Sequence, residues 1–194
     1  MCRRVSILLP WIAIALLAAS CDPGPPELTP ETAALEAYLL SADEVGGGYG
    51  WQEGGGVFTD VGHLCPDGGV SIGPFGAVRT RFVKPRGDDE MSVEEFLWVD
   101  EPAVLDQLMA DLSTAFTNCD GVEWDYYGEK MVLGVIEAPP IGDARIAVRQ
   151  LGPATDEESF RLYVRDGNVM ALIRVDEGGG LLEAVASAAI DKLP

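Results

Sequence analysis

Histidine is almost absent from this chain of 194 residues, with His63 the single copy, and cysteine occurs only four times. Those shortages exclude much familiar chemistry. A zinc site needs about four ligands, and Cys65, Cys119 and His63 do not make a set; the sequence implies no metal and no cofactor. Gly69-Val70-Ser71-Ile72-Gly73 has the spacing of a nucleophile elbow, but Pro74 and Gly76 oppose the helix it requires. The lone histidine also precedes the serine rather than following it. No GxGxxG opens a helix and no Gly-Lys-Ser/Thr occurs, so nucleotide binding is not signalled. Positive charge is scarce too, 13 basic residues against 32 acidic, which argues against nucleic acid as a partner. Long apolar runs are limited to one, at the very start.

That run organises the rest. Arg3 and Arg4 precede the uncharged stretch Val5 to Ala19, and the small residues Ala18, Ala19 and Ser20 follow. This is the three-part layout of an export signal. At roughly 15 residues the run is shorter than the ~20 a permanent span needs. Ala18-Ala19-Ser20-Cys21 resembles the lipobox of bacterial lipoproteins, with Ala18 where leucine is commoner. The resemblance implies cleavage after residue 20, acylation of Cys21 and a stable anchor from several acyl chains on the outer face of the cell membrane. Without Arg3 and Arg4 the remaining 174 residues hold 11 basic and 32 acidic side chains, a net −21. So acidic a domain is repelled by anionic lipid and depends on its acyl chains to stay there. Cys65 and Cys119 are then the thiols left in an oxidising setting, and a disulfide between them is the default reading. Closing a loop of about 55 residues contributes roughly 4 kcal/mol in the chain-entropy picture.

The division expected is a signal over 1–20, a Pro-rich tether over 21–28 and one domain over 29–194. Thr29 caps a helix with Pro30 at its first position, running to about Leu40, and Ser41 with Glu44 forms a capping box. Gly46 to Gly56, with seven glycines around Tyr49 and Trp51, reads as a surface loop whose aromatics tuck into the core, or as a lid over a ligand. Alternation over Gly76–Lys84 and Val93–Val99 marks two strands. Pro102 introduces an amphipathic helix with Val104, Leu105, Leu108, Met109, Leu112 and Phe116 in one stripe. Strands follow at Val122–Tyr127, Met131–Ala138 (apolar on both faces and so central) and Ala144–Leu151. A hairpin, Phe160–Arg165 with Val169–Val175, turns at Asp166-Gly167-Asn168. A last helix covers about Leu181 to Leu193. The class is α+β, a mainly antiparallel sheet with helices packed on one face and one disulfide.

Four short stretches together carry a likeness to a known family. They are Leu39-Leu40-Ser41-Ala42-x-Glu44-Val45, Ala115-Phe116-x-x-Cys119, Pro140-Ile141-Gly142-Asp143 and Val164-Arg165-x-Gly167-Asn168-Val169. Over roughly residues 35–193 the chain resembles the PknH-like extracellular sensor domains, the outer part of some mycobacterial receptor kinases and also free-standing lipoproteins. The resemblance implies an antiparallel sheet flanked by helices, a polar cleft and a sensing or ligand-binding role. This chain carries no kinase domain or transmembrane helix of its own, and one cysteine pair where the kinase-linked form has two.

The acidic clusters Asp88-Asp89-Glu90, Asp120/Glu123/Asp125 and Asp156-Glu157-Glu158 read as solvated turns, without the spacing of a calcium loop. The scarce arginines are more informative. Arg145 and Arg149 share one face of their strand by the two-residue period, Arg161 and Arg165 share one face of theirs, and Arg79 with Arg81 repeats the motif. Aligned across neighbouring strands, Arg145, Arg149, Arg161 and Arg165 would form a guanidinium band able to grip carboxylate or phosphate, and changing Arg149 and Arg161 together to alanine would abolish anion binding. The blander alternative, and the commoner arrangement, is that each pairs with a surface carboxylate. The function expected is a surface-anchored, non-catalytic lipoprotein that binds an extracytoplasmic small molecule, glycan or protein. An envelope hydrolase and an accessory subunit of a membrane receptor or enzyme are the alternatives.

Overall fold

The computed structural model describes residues 28–59, 75–87, 89–126, 129–152, 157–176 and 178–194. Cys21, Cys65 and the Gly69–Gly73 motif lie outside these residues, so the export signal, the lipid site and the elbow motif are not described.

The chain opens as the sequence predicts, in shorter pieces. Thr29 accepts a hydrogen bond from the Thr32 amide and caps α1 (Pro30–Ala34), which tightens into a 3-10 turn at Leu35–Tyr38. The Ser41–Glu44 capping box then starts α2 (Ala42–Val45). The glycine-rich stretch is not a loop beyond Gly48. Gly46, Gly47 and Gly48 take positive φ and turn the chain, after which β1 (Gly50–Thr59) pairs with β2 (Phe75–Arg86). A ladder needs only backbone donors and acceptors, so glycines weaken β1 without forbidding it, and an edge position tolerates them. Of its aromatics, Tyr49 is buried and Trp51 stays exposed.

Next come β3 (Asp89–Val99), α3 (Pro102–Cys119), β4 (Glu123–Tyr126), β5 (Glu129–Ile136), β6 (Ala144–Gly152), β7 (Glu157–Asp166), β8 (Val169–Val175) and α4 (Gly179–Asp191). The strands form one sheet in the order β1-β2-β3-β8-β7-β6-β5-β4, with every neighbouring pair antiparallel. The β7–β8 hairpin turns at Gly167, with φ +58°, as expected from Asp166-Gly167-Asn168.

Two expectations are corrected. Helices cover both faces, not one. Leu105, Met109, Leu112, Phe116 and Cys119 of α3 share one buried cluster with Phe96, Trp98, Met170, Leu172 and Tyr163. On the opposite face α1, α2 and α4 pack on Phe82, Leu97, Leu162, Val164, Ile173 and Val175. The cause is β8, whose Val-Met-Ala-Leu-Ile-Arg-Val is buried at every position but Arg174 and so demands cover from both sides. The central strands are therefore β3, β8 and β7, not Met131–Ala138. That segment is largely β5, one place from the sheet edge, and its Val135 remains exposed.

Cys119, in the last turn of α3, is buried and disulfide-bonded. Gly142, from the Pro-Ile-Gly-Asp stretch, has φ +62°, and a Cβ there would stand 2.4 Å from Val164 Cγ1 and 2.7 Å from the Arg165 carbonyl. Only glycine lets this loop lie so close on β7.

Within the face shared with α4 lies one fully buried carboxylate, Glu95 of β3. Its Oε2 accepts from the Leu40 amide at 2.7 Å, while Oε1 meets no partner among the described residues. Lys192 ties the same corner by bonding the Leu39 carbonyl and Glu44. Burial pushes the Glu95 carboxyl up to about 7, against smaller lowering by the Leu40 amide and Lys192. Between pH ~4.5 and ~7 the folded chain thus holds a proton that the unfolded chain releases. Glu95 contributes full stability below that window and loses it as pH rises through it. Glu95→Gln should match the wild type near pH 4 and exceed it by up to about 3 kcal/mol at pH 8 in urea unfolding. Parallel pH profiles for the two proteins would contradict this account of Glu95.

Candidate functional site

Strand register decides which arginines can act together. β6 and β7 are neighbours, as the guanidinium band requires, but Arg145 lies opposite Val164 and Arg149 opposite Phe160, while Arg161 lies opposite Val148 and Arg165 opposite Ala144. Residues directly opposite point to the same face. Val164 and Phe160 belong to the α4-side core and Val148 to the α3-side core. Arg145 and Arg149 therefore stand on one face of the sheet, and Arg161 and Arg165 on the other. The four do not form a band.

Two of the four are tied locally. Arg149 makes an exposed ion pair with Glu158 at 3.3 Å. Arg165 is a strut: it reaches Asp106 of α3 at 3.0 Å and Asp143 at 3.0 Å, with only 14 % of its side chain exposed. Asp143 also accepts from the Gly167 amide in the β7–β8 turn, and that bond, with Arg165, holds its carboxyl below the usual range. Two of the stretches behind the family likeness, the Pro-Ile-Gly-Asp loop and the Val164–Val169 run that holds Arg165 and Gly167, thus meet in one joint.

A different row forms on the α3 face. From β1 to β7, Glu53, Arg81, Glu94, Arg174 and Arg161 lie directly opposite one another in succession. Arg79, one step along β2, joins them and bonds both Glu94 and Glu53, the latter at 2.9 Å. Glu94 is the hub: Oε1 also faces Arg81 Nε at 3.9 Å, and Oε2 accepts from Arg174 at 3.4 Å. The guanidinium groups of Arg79 and Arg174 stack over the same Phe96 ring, 5.6 and 5.3 Å from its centroid. Arg161 donates to Gln150 at 3.1 Å. Beyond it the face stays polar, with Ser92 donating to Asp176 from both its amide and its hydroxyl.

This cluster is positioned by what α3 leaves uncovered. The helix packs against β5, β6 and β7. Its cover ends where Tyr163, in contact with Phe116, buries its hydroxyl; burial pushes that phenol up, countered in part by the neighbouring Arg161 and Arg174. On the β1–β2–β3–β8 side the arginines reach solvent, at 22, 30 and 28 % of the side chain for Arg79, Arg81 and Arg174. Their Nε atoms are themselves shielded from solvent and make no hydrogen bond among the described residues, that of Arg81 facing Glu94 at 3.9 Å. No group of three metal-ligating side chains occurs among those residues, and no helix there is long and apolar enough to cross a membrane.

The sequence pointed to Arg79, Arg81 and Arg161 but not to Glu94 or Arg174. The usable signal was Val-Glu-Glu-Phe-Leu-Trp-Val in β3: two adjacent acids in an apolar strand must send one carboxylate into each covered face. Glu94 enters the arginine row and Glu95 the opposite core.

No protein-family model and no curated protein matches the chain. Among solved structures, it is similar to the crystal structure of the extracellular domain of PknH from Mycobacterium tuberculosis, with a TM-score of 0.64 and 15 % identity over 86 % of this chain and 98 % of that one. At that identity the likeness is one of fold.

The two former band members should behave differently on substitution. Arg165→Gln, breaking the joint, should lower the melting temperature by roughly 3 °C or more, whereas Arg149→Gln should shift it by less than about 1 °C. Equal shifts would contradict the assignment of Arg165 as a strut.

Proposed function

We propose that this chain is an extracytoplasmic lipoprotein of the PknH-like sensor type, anchored through Cys21, whose α+β domain binds a ligand at the arginine row without catalysis. The observation that carries the binding role is the row itself. A chain with 13 basic residues gathers Arg79, Arg81, Arg161 and Arg174 on one face of the sheet, with Arg79, Arg81 and Arg174 partly open to solvent. Fixed guanidinium groups suit holding an anion rather than moving a proton. Glu94, the nearest carboxylate, is engaged by three guanidinium groups. The fold likeness to an extracellular sensor domain supports the same reading.

Export and anchoring rest on Arg3, Arg4, the apolar run and Cys21. Pairing of Cys119 with Cys65 follows from the oxidising setting, and would clamp the end of α3. In a bacterial host that processes lipoproteins, metabolic labelling with a palmitate analogue should tag the wild type and place it in the membrane fraction. Cys21→Ser should lose both label and membrane retention. Label or membrane retention in Cys21→Ser would overturn the anchor. In non-reducing peptide mapping a Cys65–Cys119 fragment is expected, and Cys65→Ser should cost roughly 3–4 kcal/mol of stability.

A further inference from the structure

We propose that Trp51 and the glycines beside it are the part of the domain that rests on the lipid surface, with the indole among the headgroups of a zwitterionic membrane. The proposal rests on the Cys21 anchor described above and is independent of the arginine row.

A lone exposed apolar side chain is ordinary; this one is marked by its surroundings. Among the described residues Trp51 is the most exposed large hydrophobic side chain, at 63 %, the others being Val104, Val122 and Val135. Trp51 lies opposite Phe82, Gly54 opposite Thr80 and Gly56 opposite Val78, so a bulge between Trp51 and Glu53 brings residues 51, 54 and 56 to one face. It is the α4-side face, to which Phe82 and Val78 belong. The indole lies along Gly54, with Nε1 3.6 Å from where a Cβ on that residue would stand. At Gly56 a Cβ would collide with the Leu28 side chain. Gly54 and Gly56 thus make a flat seat for two apolar side chains.

Leu28 is also where the tether reaches the domain. Positions 54 and 56 are about 7 Å apart along the strand, so the indole lies close to the point of entry. Seven residue steps separate Cys21 from Leu28, and a fully extended chain of that length reaches at most ~25 Å. Acyl chains held in the bilayer therefore keep Leu28 and the β1 edge near lipid. The opposite edge strand, β4, stands seven strands away, roughly 33 Å across the sheet.

Chemistry names the partner. Tryptophan gathers at membrane interfaces because its ring is apolar while its N–H keeps a polar partner. The one charged residue of β1, Glu53, lies on the other face and is paired with Arg79 at 2.9 Å, so the indole side of β1 brings little charge to desolvate. Glu27 and Glu31 flank Leu28 in sequence, which disfavours anionic headgroups and favours zwitterionic ones. Depth is limited by the strand itself. β1 pairs with β2 alone, and its outer backbone groups need water, so the edge is not carried into hydrocarbon. The contact is shallow and weak by itself. Beside a tether it becomes intramolecular and sets which way the domain faces.

The test joins the mature chain through the Cys21 thiol to a maleimide lipid in phosphatidylcholine vesicles with brominated acyl chains, so the result does not depend on acylation in a host. Three tryptophans lie beyond the signal, Trp51, Trp98 and Trp124. The attached wild type should lose about a third of its emission, the share of one tryptophan in three, and Trp51→Ala should lose none. Bromines near the headgroup should quench more than bromines deep in the chains. Circular dichroism confirms that both proteins are folded. No quenching in the attached wild type, equal quenching in Trp51→Ala, or stronger quenching by the deeper bromines overturns the proposal, while the anchor is judged separately by the palmitate label. A Trp51 emission shift with soluble peptidoglycan fragments, and none with brominated lipid, overturns it in favour of a glycan surface.

Discussion

Arg174 occupies the one polar position of β8 and reaches across to Glu94 on β3, at 3.4 Å. The rest of the α3 face is arranged around that contact. A guanidinium in the most buried strand is tolerable only if a carboxylate answers it, because a partly buried charge left alone costs several kcal/mol. Glu94 answers Arg174 but also Arg79 and Arg81, so the group that makes Arg174 tolerable is shared three ways. α3 can cover the apolar half of the face and no further. The corner of the sheet it leaves is neither core nor ordinary surface: Phe96 pins it from beneath, and its arginines are partly open to solvent.

The opposite face solves a related problem differently. Glu95, next in sequence, is buried with no ion-pair partner among the described residues, and its Oε2 accepts from the Leu40 amide. One adjacent pair of acids in β3 thus joins two unlike environments. On the α3 side the carboxylate pairs with arginines; on the α4 side burial drives the carboxyl of Glu95 toward its neutral form. The stretch from Leu39 to Glu44, a few residues after the expected tether, is held to the sheet by Glu95 and Lys192, which fastens the start of the domain to both β3 and the end of α4.

Much of the fold was legible because its signals are local. Thr29, the Ser41–Glu44 box, the α3 stripe and the Asp-Gly-Asn turn act within a few residues of themselves, and each is found in place. What misled was whatever depends on strand order and register. Seven glycines in eleven residues read as a loop, yet β1 pairs through its backbone alone. The apolar run in Met131–Ala138 looked central by composition, while β8 holds the centre because β3 and β7 flank it. Arg149 and Arg161 looked like partners, but β6–β7 pairing sets Arg149 opposite Phe160, and that parity sends the two arginines to opposite faces. The two-residue period was read correctly within each strand; the phase between strands is a tertiary property.

The central claim is that the anion-facing groups are those of one row and not of the four arginines that spacing alone suggests. Side-chain Nε–H NMR of the mature chain, titrated with inorganic phosphate, measures this most directly. The account predicts shifts at Arg79, Arg81, Arg161 and Arg174 with Arg145 and Arg149 unmoved. Shifts at Arg145 and Arg149, or none in the row at saturating phosphate, would contradict it.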